Sequence, residues 1–137
     1  MIAALALALA LALASAALPD QGQTDFDAYA KAVEKCDRKV VAETVSESVA
    51  RHSRFLIDAY KEQRAIAVAR LDIADRRRKL HAGERTPDTE AALSLLGETL
   101  DDRQHALDDQ RRLDQMEQDM VSYFRSQYLT RCAGRGS

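Results

Sequence analysis

The chain has 137 residues, nearly a third of them charged, yet its formal net charge is only −2. Near-neutrality excludes the basic excess that a general nucleic-acid binder needs for its electrostatic footprint. There is no Asn anywhere, so neither an N-glycosylation site nor a Cys-His-Asn nucleophilic triad can be built.

Residues 2–14 form an almost unbroken Ala/Leu run, followed by Ala14-Ser15-Ala16-Ala17 and Pro19. An apolar stretch of this length ending in small residues predicts a secretory signal over 1–17, cleaved after Ala16 or Ala17. No Lys or Arg precedes the run, which points to a true start further upstream. An uncleaved anchor is the alternative, although the run is short and Ala-rich against the ~20 residues of a membrane span. Arg outnumbers Lys, and with the Ala, Leu and Asp bias this suggests a bacterial protein of the periplasm or exterior. The 46% hydrophobic content includes the removable run, so the mature domain, 18–137, is more polar than the whole chain and forms one domain.

After a polar leader, the pattern predicts a helix over about 24–82, a turn over about 83–87 and a second helix over about 87–133. Thr24 is the expected N-cap, with Asp25 and Asp27 in the first turn where carboxylates favour the positive end of the helix dipole. Gly83 suits the left-handed position that ends a helix, with Arg76, Arg77, Arg78 and Lys79 near the last turn. Thr86-Pro87-Asp88 reads as a restart with Pro at the first helical position. Unbroken, the first helix would be about 85 Å long at ~1.5 Å per residue. A Val/Ser/Thr-rich stretch over 40–53, with Thr44-x-x-Glu47 resembling a capping box, is where it would break into a three-helix bundle.

Cys36 and Cys132, the only cysteines, lie symmetrically about the 83–87 turn. If the helices are antiparallel, facing residue numbers add to 168, as these two do. An exported chain with two cysteines predicts a disulfide between them, stapling the open end of a helical hairpin. Val33, Cys36, Val40, Val45, Val49, Leu56, Tyr60, Ile66 and Ile73 trace a drifting apolar stripe on the first helix. Leu93, Leu96, Leu100, Leu107, Leu113, Met116, Met120, Tyr123 and Cys132 do so on the second. Neighbouring apolar pairs such as Leu56-Ile57 and Tyr123-Phe124 widen the stripe beyond one seam, which predicts a homodimer, as a four-helix bundle, or another helical partner.

Catalytic and cofactor motifs are absent: there is no Gly-rich phosphate loop, no Gly-x-Ser-x-Gly, no Cys-x-x-Cys and no His-Glu-x-x-His. Asp101, Asp102, His105, Asp108 and Asp109 share i, i+3 and i, i+4 spacings, but one helix face is not the converging set that a bundle metal site needs. The expectation is a solvated, salt-bridged surface with no metal, cofactor or catalytic residue. Arg76, Arg77, Arg78, Lys79 and Arg85 form a candidate anion-binding patch that an anionic envelope surface would fit. The leading functional expectation is an exported helical interaction or scaffold protein. The alternatives are a periplasmic holdase-like chaperone and an all-helical enzyme binding a small anion near Arg103, Arg64 and Gln63.

Overall fold

The computed structural model describes residues 22–134. Among these the fold is all-helical: α1 (Phe26–Glu34), α2 (Arg38–His81) and α3 (Glu90–Arg131). The long α2 and α3 pack as an antiparallel hairpin, and the short α1 folds back over its open end, touching both. The signal assigned to residues 1–17 lies outside the described residues.

The first helix does break, but at Lys35–Asp37, upstream of the 40–53 stretch. Cys36 adopts φ +54°, its N–H bonds the Val33 carbonyl at 3.2 Å, and the Asp37 N–H bonds the Ala32 carbonyl at 2.8 Å. This is a Schellman stop with Cys in the position usually given to Gly. Asp37 then caps α2, its carboxylate accepting from the Val40 N–H at 3.1 Å. The supposed internal cap is not one, because the Thr44 hydroxyl donates back to the Val40 carbonyl at 2.8 Å and α2 runs through it. Asp25, one residue later than expected, caps α1. Gly83, at φ +74°, ends α2 as its sequence context predicts. α3 starts at Glu90, later than the predicted 87, with Thr89 as cap, because Asp88 is drawn back to Arg76 at 3.0 Å.

Cys36 and Cys132 form a disulfide. Facing pairs between α2 and α3 keep within about three of the sum it sets: Arg51 with Glu117, Gln63 with Gln104, Arg70 with Asp101. The seam itself is narrower than the drifting stripe. On α3 a seven-residue repeat, Leu93, Leu100, Leu107, Asp114, Val121 and Tyr128, faces α2. Leu93, Leu100, Leu107 and Val121 are buried. On α2 the matching residues include Val41, Ser48, Ala59, Ile66 and Ile73, all buried. Val49, Leu56, Tyr60, Leu113, Met116, Met120 and Tyr123, assigned to the seam by the apolar pattern, are instead exposed. A strict heptad keeps one line of residues facing the partner and rotates every other line away.

The core is therefore discontinuous, in three clusters. Ile73, Leu93 and Leu100 pack near the turn, and Ala59, Ile66 and Leu107 in the middle. At the stapled end Tyr29, Ala32 and Val33 of α1 join Val41 and Val121. There Phe26 stacks on Phe124 at 6.2 Å and Tyr29 meets the same ring at 5.4 Å. The Tyr29 hydroxyl donates to the Val121 carbonyl at 3.4 Å, and burial pushes its pKa up.

Candidate interaction site

Between the clusters the seam is polar. Arg103 reaches Glu62 with two parallel bonds of 2.8 and 2.9 Å. That pairing raises the Arg103 pKa above its ordinary value. Beside it Gln63 and Gln104 exchange amide hydrogen bonds of 2.8 and 3.1 Å. His52 Nδ1 lies 2.7 Å from Asp114 Oδ2. Arg103, Gln63 and Arg64 do not converge on one anion-binding site: Arg103 is held by Glu62, Gln63 by Gln104, and Arg64 is exposed.

At the N-terminal end of α1 a cleft of about 370 Å³ opens between the leader, α2 and α3. Phe26, Phe55, Leu113, Met116 and Met120 form its apolar walls, and Arg51, Asp114 and Glu117 also line it. The Thr24 hydroxyl donates to Glu117 at 2.6 Å and accepts from Arg51, while Arg51 Nη2 donates to Glu117 at 2.8 Å. Burial pushes the Glu117 carboxyl up, but the bonds from Thr24 and Arg51 and the Arg51 charge outweigh it and leave the pKa below its ordinary value. Arg51 Nε is buried without a hydrogen-bond partner.

Two exposed apolar stripes flank the hairpin. On α3, Leu113, Met116, Met120 and Tyr123 follow a 3-4-3 spacing, with Leu113 and Met116 each 62% exposed. On α2, Val49, Leu56, Tyr60 and Leu71 lie on another line, Tyr60 being 66% and Leu71 72% exposed. The chain matches no family model, no curated protein and no solved structure. Among the described residues no helix is long and apolar enough to cross a membrane.

The charged candidates are mostly matched within the chain. Arg76 pairs with Asp88 and Asp72, Arg77 with Glu90 at 2.8 Å, and Lys79 with Asp75 at 2.8 Å. Arg78 also pairs with Asp75. Arg85 is the member of the anion patch without an ion pair among the described residues. On the acidic face Asp101 pairs with Arg70, Asp108 with Arg111 and Asp109 with Arg112, while Asp102 and His105 are exposed. No group of three or more His, Cys, Asp or Glu among the described residues is arranged to hold a metal ion. The polar floor of the cleft escaped sequence reasoning because Thr24 and Glu117 are 93 residues apart. The one sequence signal was the heptad phase of Leu93, Leu100 and Leu107, which carries Asp114 into the seam.

Proposed function

We propose that the chain is an exported, disulfide-closed helical interaction protein without catalytic chemistry, which engages a second copy or another helical protein through its exposed apolar stripes. One observation carries this reading: eight large apolar side chains on two lines are exposed, while the polar side chains between the helices are committed to one another. Surface patches of this kind in soluble proteins mark interaction sites. The disulfide is consistent with an oxidising compartment, reached by cleavage of the signal over 1–17. The anionic-surface alternative has less support, since most of the Arg76–Arg85 cluster already has carboxylate partners.

A photo-crosslinking side chain at position 116 tests the interaction reading, with the polar, exposed position 105 as control. Adducts in the intact envelope from 116 alone are expected; equal yields at both positions, or none, would end it. A holdase reading is favoured by Met116 and Met120 beside the cleft, because the flexible, polarizable Met side chain adapts to varied apolar shapes. Suppression of a client's aggregation at stoichiometric ratios distinguishes it.

A further inference from the structure

The two apolar stripes lie on opposite flanks of the hairpin. Val49 and Leu56 recur at seven-residue intervals with Gln63, whose amide meets Gln104 across one flank of the seam. Leu113 and Met120, also seven apart, border the cleft on the other flank, beside Thr24 and Phe26 of the α1 side. Each stripe carries one exposed charge without an ion pair among the described residues. Arg64 lies between Tyr60, Ala67 and Leu71 at helical spacing. Asp119 lies between Met116 and Tyr123 and only accepts a bond from Gln115, at 2.8 Å.

Self-pairing of either stripe about a two-fold axis puts two like charges into one interface, the Asp119 pair or the Arg64 pair, and gives neither a counter-charge. Pairing the α3 stripe of one molecule with the α2 stripe of another brings Asp119 to Arg64 and apolar surface to apolar surface. Opposite charges at a patch fix the partner and suppress wrong ones. We propose that the partner is a second copy of this chain, bound head-to-tail through its α2 stripe to the α3 stripe of the first. This deepens, and rests on, the interaction reading above. Because the two stripes sit on opposite flanks, each contact leaves one stripe free on either molecule, and the assembly extends unless it closes into a ring. The contact is small beside the ~20–30 residues a side of a standard interface, so association is in the micromolar range or weaker.

The test is sedimentation of the mature, oxidised chain over a concentration series. Average mass is expected to pass two copies without a plateau at the dimer. Tyr60→Glu and Met116→Lys, both at exposed positions, should each be monomeric alone. Mixed one to one, they should form a species of twice the monomer mass and nothing larger, because each supplies the stripe the other lacks. Arg64→Asp and Asp119→Arg should each abolish assembly, and the double swap should restore it. A plateau at two copies for the unaltered chain, or dimers from either stripe variant alone, would overturn the head-to-tail arrangement. So would a monomer at all concentrations up to about 1 mM. If that monomer still forms adducts through position 116, the interaction reading survives; without adducts both fall.

Discussion

Breaking the Cys36–Cys132 bond should cost more than any other single change. The cysteines are 96 residues apart in sequence, and closing a loop of about a hundred residues restricts the unfolded chain by about 4.7 kcal/mol at 25 °C in the chain-entropy model. With a urea slope of roughly 2 kcal/mol/M for a domain this size, the midpoint of a Cys36→Ser, Cys132→Ser variant should fall by roughly 2 M. The loss should be uneven. At nine residues, α1 is far too short to persist as a helix alone, so its amides should exchange first while the Ile66–Leu107 layer keeps its protection. Part of the loss is separable from the bond. Cys36 sits at φ +54°, where a non-Gly residue costs about 1–2 kcal/mol, so Cys36→Gly with Cys132→Ser should recover about 1 kcal/mol of the double-serine deficit. Urea titration followed by circular dichroism, with hydrogen exchange on the same samples, reads all three quantities. A midpoint shift below about 0.5 M would mean that the unfolded chain already holds its ends together, and would refute the loop argument.

The Glu62–Arg103 bridge should show the asymmetry of a paired seam charge: either single change to Met costs about 2 kcal/mol, whereas the double change stays within about 1 kcal/mol of the parent. A double-mutant cycle by urea unfolding checks it, and additive losses would contradict it. Glu117 has a folded pKa below its ordinary 4.5, so its contribution is fully present above about pH 4.5 and is lost as pH falls through the folded value. Stability measured across that acid window should fall less steeply in Glu117→Gln than in the parent. Asp37→Ala should cost about 1 kcal/mol by removing the cap of α2. Gly83→Ala should cost about as much, through its positive φ. Thermal unfolding reads both.

The hairpin was legible in the sequence because its signals are local or arithmetic. Gly83 marks a stop by its own chemistry, and Cys36 and Cys132 fix an antiparallel register by their numbers alone. The break at Cys36 was not legible, because helix stops are normally announced by Gly or Asn, and here a Cys takes the left-handed position with Asp37 capping α2 directly after it. The seam is hidden in the apolar pattern for a related reason. His52, Glu62, Arg103 and Asp114 occupy seam positions, so the apolar periodicity points sideways to Leu113, Met116 and Tyr60, which face water. The cleft depends on Thr24 meeting Arg51 and Glu117 through tertiary packing, for which one-dimensional spacing has no signature.

The polar pairs within the seam bear on how the sulfur atoms find each other. A slip of one heptad between α2 and α3 would set Arg103 against Phe55 or Ala69, and Asp114 against Val45 or Ala59, leaving charges with no counterpart in an apolar layer. The apolar clusters alone would tolerate such a slip far better, since one Leu or Ile replaces another. The register that brings the two sulfur atoms together is thus written along the middle of the helices as well as at their stapled end, so that bond and seam specify one alignment.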